Sequence, residues 1–298
     1  MVTEVDVEGV VVTVMNMKGG VGKTTVTANL GPALALGGTG QRQRKVLLVD
    51  YDAQFSLSQC WLSAAKLETL WQANRTSLDI IQDKAGRGTW EIRDPANIKP
   101  PAVATLAERV LSWQGGGSLD IVASTMDLME VALGRGADRA IAAERRFQTF
   151  MSEARQLYDI ILIDCHPAGS LLTRTAVLQA DHLLIPVTDS PFASRGARLM
   201  RTFLERTRPD AKVPFWILFN GDPPSAQNSA AERDVRADDR LKDHCLSAKL
   251  PKQKAYSDLR AGFGWVGHSG KPYSTKAWRS LIRVADEMGK KLQLGSPS

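Results

Sequence analysis

The sequence feature that most constrains the fold is a glycine-rich octapeptide at residues 18–25, which reads Lys-Gly-Gly-Val-Gly-Lys-Thr-Thr. An apolar run at residues 10–15 precedes it and is typical of a buried strand, and residues 26–30 begin a plausible helix. Glycines between a strand and a helix allow successive backbone N–H groups to converge on phosphate oxygens at the helix N-terminus. The order of strand, loop and helix therefore predicts a phosphate-binding loop in an α/β fold.

The residue types within this loop predict separate roles for its members. Lys23 is expected to reach the β- and γ-phosphates of a nucleotide, and the Thr24 hydroxyl to coordinate Mg²⁺. Thr25 would lie at the helix start, near the α-phosphate. The other residues expected to contact the nucleotide are Gly19, Gly20, Val21 and Gly22. A glycine-rich loop without nucleotide chemistry is the alternative, and a Gly-Lys-Thr sequence behind a strand argues against it.

Two further apolar runs end in carboxylates. Residues 45–54 carry Asp50 and Asp52 at the end of a buried-strand pattern, and ligands bind at the carboxyl ends of parallel strands. Residues 158–167 place Asp164 after four consecutive aliphatic residues, which is the Walker B arrangement for holding Mg²⁺. We therefore expect Asp164 to be the carboxylate on the metal side. For the first pair, the alternative is that both are structural carboxylates that cap the following turn.

These motifs resemble those of the ParA/MinD family of ATPases with a deviant Walker A box, and most of all its ParA/Soj-type partition ATPases. The resemblance implies that Lys18 is the signature lysine that crosses a dimer interface to the partner's nucleotide. It also implies that Asp52 orients the attacking water, that Asp50 lies near the magnesium, and that the cofactors are ATP and Mg²⁺. Two positions depart from the family pattern, because Ala53 replaces a proline and His166 stands where a proline is common. We assign His166 no role.

The resemblance extends to the far end of the expected sheet, with weaker signals. Asn220 follows an apolar run and matches a position that often contacts the adenine base. Pro251 begins the segment that commonly closes over the other side of the base. Asparagine at a strand end is also a common turn residue, so both interpretations of Asn220 stay open.

Length and composition agree with one large α/β core. A chain of 298 residues with 43% hydrophobic content predicts a single domain over residues 1–298, with a doubly wound, mostly parallel sheet and helices on both faces. We interpret residues 61–118 as a helical, loop-rich insertion and residues 275–290 as a C-terminal helix. The tryptophans of the insertion would serve partner recognition or core packing, and packing is slightly favoured. They are Trp61, Trp71, Trp90 and Trp113.

Charge favours a polyanionic partner. The net charge is +6 and the pI is about 9.3, which would favour contacts with DNA phosphates through counterion release. Basic residues at helical spacing, or beside the proline segment, form candidate DNA contacts, although solvated helix faces would explain each cluster equally well. These candidates are Arg195, Arg198, Arg201, Lys252, Lys254, Lys276, Arg279 and Arg283.

The resulting functional hypothesis is a ParA-like, ATP-dependent homodimer that binds DNA without sequence preference and segregates or positions it. A ParB-like or cargo-adaptor protein would stimulate hydrolysis, and the expected location is the cytoplasm, on the nucleoid of a bacterium or archaeon. The three cysteines are far apart, which favours a reducing cytosol and disfavours a structural zinc or iron–sulfur site. The alternatives are a MinD-like membrane-associated ATPase and a relative that positions a protein cargo. The tail after residue 289 is a poor membrane anchor, because it has two large apolar residues and ends in helix breakers.

Overall fold

The computed structural model describes residues 8–39, 42–83, 99–133, 140–165, 169–222, 228–257, 264–268 and 274–294. Within these ranges strands and helices mostly alternate along the chain. The strands are β1 (Val10–Val14), β2 (Lys45–Tyr51), β3 (Ala107–Ser112), β4 (Ser118–Val122), β5 (Ile160–Cys165), β6 (His182–Val187), β7 (Phe215–Asp222) and β8 (Leu250–Pro251). The helices are α1 (Lys23–Ala35), α2 (Ser56–Trp61), α3 (Ala64–Gln72), α4 (Ser77–Ile81), α5 (Val103–Leu106), α6 (Leu128–Ala132), α7 (Ala140–Leu157), α8 (Leu171–Gln179), α9 (Ala193–Thr207), α10 (Ala230–Ala237), α11 (Lys254–Ser257) and α12 (Ser274–Lys291).

The described strands form one sheet in the order β3-β4-β2-β5-β1-β6-β7-β8. Every neighbouring pair is parallel except β3 and β4, which run antiparallel. The chain leaves β1 toward β2 on one side and later returns to build β6, β7 and β8 on the other. The direction of winding therefore reverses beside β1, which is where open α/β sheets bind their ligands.

Helices cover both faces of the sheet and bury two separate apolar cores. Successive residues of β1 alternate between them, because Val11 belongs to one core and Val12 to the other. The first core packs under α7, α8 and α9, and the second under α1, α2, α11 and α12. This arrangement explains the apolar runs that the sequence analysis found, since a parallel strand is buried on both faces. The predicted doubly wound α/β fold is confirmed.

The described part of residues 61–118 adds short helices and an edge strand beside β4. Trp61 is buried in the second core, and the indole of Trp71 donates a hydrogen bond to the carbonyl of Ser124 at 2.9 Å. The third tryptophan that the structure describes, Trp113, packs partly buried against the second core. These indoles pack against the domain, and Trp90 lies outside the described residues.

One buried arginine joins this region to α7. The Arg146 guanidinium donates hydrogen bonds to four main-chain carbonyls, those of Asp79, Ile80, Gln82 and Lys99. It also forms an ion pair with Asp83 at 2.9 Å, and its side chain is 3% exposed. Arg146 therefore holds both ends of the segment between residues 83 and 99.

Candidate nucleotide-binding site

The loop between β1 and α1 has the backbone that a phosphate-binding loop needs. Gly20 and Gly22 have positive φ angles of 74° and 84°, a conformation that residues with a Cβ rarely adopt. Gly22 is the last residue before α1, so the loop turns directly into the helix N-terminus. The positive end of the helix dipole and its free N–H groups therefore point to the space above the loop, where an anion is favoured.

Asn220 at the end of β7 supports this loop from the neighbouring strands. Its Nδ2 donates to the carbonyl of Val21 at 2.8 Å. The fit is close, because a Cβ on Gly22 would lie 2.3 Å from the same nitrogen. The family resemblance implied that Asn220 contacts adenine, and a turn residue was the alternative; the structure places its amide group against the phosphate loop, and a contact with the base stays a prediction.

The two lysines of the loop differ in their surroundings. Lys23 is buried at 8% exposure, whereas Lys18 is exposed at the rim of the site. The Nζ of Lys18 donates to the hydroxyl of Ser190 at 2.8 Å, and its main-chain N–H donates to the side chain of Asn16 at 3.0 Å. Asn16 in turn donates to the carbonyl of Pro186 at 2.9 Å. The start of the loop is therefore tied to the end of β6, and the Lys18 ammonium lies at the protein surface.

The three strands beside the loop bring the predicted carboxylates together. Asp164 on β5 is the register partner of both Asp50 on β2 and Val14 on β1. Asp50 is fully buried and accepts hydrogen bonds from the main-chain N–H and the hydroxyl of Ser58, at 2.7 and 2.6 Å. Asp50 therefore holds the start of α2, which is the structural role that the sequence analysis left open. Its place near a magnesium ion stays a prediction.

Asp164 is buried with no hydrogen bond to either carboxyl oxygen from the described part of the chain. Burial raises its pKa to about 7, and the nearby Thr24 hydroxyl and Lys23 ammonium oppose that rise. Burial, together with the charge of Asp164, raises the pKa of Asp50 to about 8. A cation beside these two buried carboxylates would offset the cost of ionising them.

The donor set suits Mg²⁺. Magnesium in proteins is held by one or two carboxylates together with water and substrate phosphates, rather than by a complete cage of side chains. Among the described residues, no group of three or more His, Cys, Asp or Glu side chains converges as a metal site. Asp164, the Thr24 hydroxyl and the neighbouring Asp50 offer such an incomplete set of ligands. The phosphates of a nucleotide and water would complete the coordination of Mg²⁺.

Asp52 lies at the carboxyl end of β2, half-buried. Its carboxylate accepts the main-chain N–H of Gln54 at 3.0 Å, and its carbonyl accepts the hydroxyl of Ser124 at 2.7 Å. Ser124 follows β4, and its main-chain N–H donates to the hydroxyl of Ser58. Neither serine was predicted from the sequence, because each one joins neighbouring strand ends and no motif marks that contact.

Pro251 lies at the opposite end of the same edge of the sheet. It is the register partner of Asp222 on β7, and Leu250 is the partner of Asn220. The helix that follows it, α11, packs against α1. The site thus extends from the carboxylates, across the phosphate loop, to β8. His166 lies outside the described residues.

The structure separates the basic residues that the sequence analysis grouped. Helix α9 carries Arg195, Arg198 and Arg201 over the first core, whereas α12 carries Lys276, Arg279 and Arg283 over the second. Arg198 pairs with Asp238 at 3.1 Å, and Arg201 pairs with Glu205 at 2.8 Å. Lys252 and Lys254 are exposed after β8 and lie on the same side as α12. The sheet divides these residues into two surfaces.

Comparison with known proteins agrees with this geometry. A family model described as an AAA domain matches residues 9–213. The chromosome partitioning protein ParA of Caulobacter vibrioides is 29% identical over 255 residues, which cover 83% of this chain and 82% of that protein.

Solved structures show the same fold. A candidate plasmid partition protein from Borrelia burgdorferi, bound to AMPPNP, has a TM-score of 0.69 at 18% identity and covers 95% of this chain and 100% of its own. The cobyrinic acid a,c-diamide synthase of Mycobacterium smegmatis, with a bound ATP analogue and magnesium, has a TM-score of 0.62 at 21% identity. It covers 93% of each chain. No helix among the described residues is long and apolar enough to cross a membrane.

Proposed function

Because the chain belongs to the ParA/MinD family of P-loop ATPases, we propose that it hydrolyses ATP with Mg²⁺ as a homodimer and uses this cycle to segregate or position DNA. The observation that carries the proposal is the placement of Asp164. A buried carboxylate with no hydrogen bond from the described residues faces Lys23 and Thr24, beside a loop built for phosphates. A nucleotide with Mg²⁺ would satisfy both the carboxylate and the loop.

Each residue of the site has a part in the proposed reaction. The loop and Lys23 would bind the phosphates, and Thr24 and Asp164 would hold Mg²⁺, whose charge helps to neutralise the transferred phosphoryl group. Asp52 would position the attacking water at the end of β2. Lys18 would leave Ser190 and place its charge on the nucleotide of the partner subunit, so hydrolysis would depend on dimerisation.

The DNA surface is proposed on the side of the molecule that carries α12. Four exposed basic residues there have no ion pair within the described part of the chain, and they are Lys252, Lys276, Arg279 and Arg283. Arg198 and Arg201 on the other face already neutralise acidic neighbours, which leaves less net charge for phosphates. The complex would be nucleoid-associated, and a ParB-like or cargo-adaptor protein would stimulate hydrolysis.

A membrane-associated role is less well supported. The apolar side of α12 is buried in the second core through Ala277, Leu281, Val284 and Met288. An amphipathic helix can bind a membrane only if its apolar face is available. Positioning of a protein cargo is compatible with the same ATPase cycle, and only the partner distinguishes it.

The nucleotide cycle is tested by ATP hydrolysis and by sedimentation, with Lys18→Ala as the variant. We expect the variant to bind Mg-ATP with nearly the affinity of the wild type but to lose ATP-dependent dimerisation and at least about ten-fold in turnover. Lys45→Ala is the matched control, because Lys45 is exposed at the opposite end of β2. Wild-type turnover in Lys18→Ala would contradict the proposed role of this lysine.

The DNA surface is tested by binding to a duplex without a specific site, with Mg-ATP, with Mg-ADP and without nucleotide, at two salt concentrations. Binding should require ATP and weaken with salt. Replacing both Lys276 and Arg279 by alanine should lower the salt slope by about two, whereas Arg206→Ala on α9 should leave it unchanged. Absence of DNA binding with every nucleotide would refute the DNA part of the proposal and leave the ATPase part intact.

A further inference from the structure

The turn between β2 and α2 contains a phenylalanine in a strained backbone conformation. Phe55 has a φ angle of +43° and a ψ angle of +31°, which lie in the left-handed helical region. A bulky residue rarely adopts this region, because its Cβ crowds the neighbouring backbone. Asn74 also has a positive φ angle, but asparagine tolerates such a conformation. Contacts from elsewhere in the fold are therefore needed to hold Phe55 in place.

This turn determines the orientation of the Asp52 carboxylate. The carboxylate accepts the main-chain N–H of Gln54 at 3.0 Å, and the carbonyl of Asp52 accepts the main-chain N–H of Phe55 at 2.9 Å. Both donors belong to the turn, so the direction of the carboxylate depends on the backbone conformation of residues 52–55. Phe55 is also the last residue before α2. A change in its φ angle would therefore move the turn relative to that helix.

Trp71 on α3 contacts both ends of the turn. Its ring packs edge to face on Phe55, with the ring centroids 5.3 Å apart and an interplanar angle of 79°. Its indole N–H donates to the carbonyl of Ser124 at 2.9 Å. The Ser124 hydroxyl in turn donates to the carbonyl of Asp52 at 2.7 Å. Trp71 thus contacts Phe55 directly and Asp52 through Ser124.

The position of Trp71 is itself fixed by the fold. Helix α3 places it partly buried against the second core, and the hydrogen bond to Ser124 sets the orientation of the indole. An edge-to-face aromatic pair is favourable beyond the apolar area that it buries, which offsets the cost of the left-handed conformation at Phe55. Without the indole, the turn would relax toward a conformation that phenylalanine adopts more readily.

We propose that Trp71 is a positioning residue for ATP hydrolysis: by packing on Phe55 it holds the turn in the conformation that directs the Asp52 carboxylate at the attacking water. The inference rests on the proposed ATPase function and adds to it a residue of the 61–118 region, which contains none of the phosphate-binding motifs. Trp71 acts through the backbone of the turn, whereas the phosphate loop lies between β1 and α1. Its loss should therefore lower turnover and leave ATP affinity unchanged.

The experiment separates the aromatic contact from the backbone conformation that it maintains. Phe55→Ala and Phe55→Gly both remove the ring, but only glycine adopts the observed φ angle without the penalty of a Cβ. Trp71→Leu removes the contact and leaves the strained residue, and its combination with Phe55→Gly removes the strain as well. Trp113→Leu is the matched control, because Trp113 is a second tryptophan of this region that packs partly buried against the second core.

Turnover at saturating Mg-ATP and the dissociation constant for Mg-ATP are measured for each protein. Trp71→Leu and Phe55→Ala should each lose about ten-fold in turnover, with ATP affinity within about two-fold of the wild type. Phe55→Gly should keep turnover within about three-fold of the wild type, and adding Trp71→Leu to it should cost no more than about two-fold. Trp113→Leu should hydrolyse ATP at the wild-type rate.

A second readout does not depend on hydrolysis. The amide hydrogen of Phe55 is bonded to the carbonyl of Asp52, so its exchange with solvent reports on the turn. Exchange should be about ten-fold faster in Trp71→Leu than in the wild type or in Trp113→Leu.

Three results would overturn the inference while leaving the ATPase proposal standing. The first is wild-type turnover in Trp71→Leu. The second is an equal loss of turnover in Phe55→Ala and Phe55→Gly, because the backbone conformation would then not be what Trp71 maintains. The third is a loss of ATP affinity in Trp71→Leu as large as its loss of turnover, which would make Trp71 a support of the whole site. If the wild type itself hydrolysed no ATP, the proposed function would fail and this inference with it.

Discussion

Arg146 provides the strongest test of how the region between α4 and β3 is held to the domain. Its guanidinium bonds to four main-chain carbonyls and pairs with Asp83, and its side chain is 3% exposed. Arg146→Leu keeps the apolar stem but leaves those oxygens without their donor. Burial lowers the pKa of this arginine, and the carboxylates nearby offset part of that effect. The group is therefore held charged by its partners.

The expected loss follows from the number and burial of these contacts. Removing one partner of a buried, hydrogen-bonded charge costs about 3–5 kcal/mol, because the remaining groups stay desolvated. For a chain of this size each kcal/mol lowers Tm by about 2–3 °C, so Tm should fall by about 6–15 °C. The contacts are not additive, since the five acceptors share one guanidinium and partly relax together.

The assay is chemical and thermal unfolding of Arg146→Leu beside Arg145→Leu. Arg145 is the adjacent residue of α7 and is exposed, so its replacement should change the free energy of unfolding by less than about 0.5 kcal/mol. A loss below about 1 kcal/mol in Arg146→Leu, or an equal loss in Arg145→Leu, would refute the reasoning.

Three further predictions test the site and the fold. Gly22→Ala should weaken ATP binding at least about ten-fold, because the added Cβ would lie 2.3 Å from Asn220 Nδ2 and the φ angle at this position is +84°. Gly196→Ala is the control: a Cβ added at Gly196 has no atom within 4 Å, so this variant should bind ATP normally in the same titration. Asp164→Asn should abolish the gain in ATP affinity that Mg²⁺ gives over EDTA, and a gain equal to that of the wild type would remove this carboxylate from the metal site. Burial lowers the pKa of His244, so protonation of this side chain favours the unfolded state. The contribution of neutral His244 to the free energy of unfolding is complete above about pH 6.5 and is lost as the pH falls below that value. Urea titrations at about pH 7.5 and 5.5 should therefore show a smaller loss in His244→Gln than in the wild type.

The sequence predicts those parts of the site whose structure depends on residues adjacent in the chain. The loop from Lys18 to Thr25 needs only its own glycines and the adjoining strand and helix, and the runs before Asp50 and Asp164 are recognisable from their apolar residues alone. Because parallel strands end at the same edge of a sheet, the carboxylates that follow them are predicted to lie close together. The structure shows Asp50 as the register partner of Asp164.

The remaining features depend on contacts between distant parts of the chain. Asn220 binds a carbonyl 199 positions away, and the Ser58 hydroxyl joins Asp50 to the segment after β4. No local pattern marks such pairs. The basic residues were grouped by helical spacing, but spacing cannot tell which face of the sheet a helix covers, and α9 and α12 cover opposite faces.

The two lysines of the loop show why dimerisation, rather than nucleotide binding alone, would control the proposed reaction. Lys23 is buried beside Asp164, so a nucleotide meets a lysine that is already in place. The Lys18 ammonium is exposed, and within the described part of the chain it donates to a neutral acceptor, the hydroxyl of Ser190. The bond to Ser190 joins a charge to a neutral hydroxyl, whereas a bond to phosphate would join two opposite charges and add their Coulomb attraction. Under the proposed function, exchange of Ser190 for the phosphates of a partner subunit would therefore be favourable, and Lys18 would be the part of the site that a second copy of the chain puts to use.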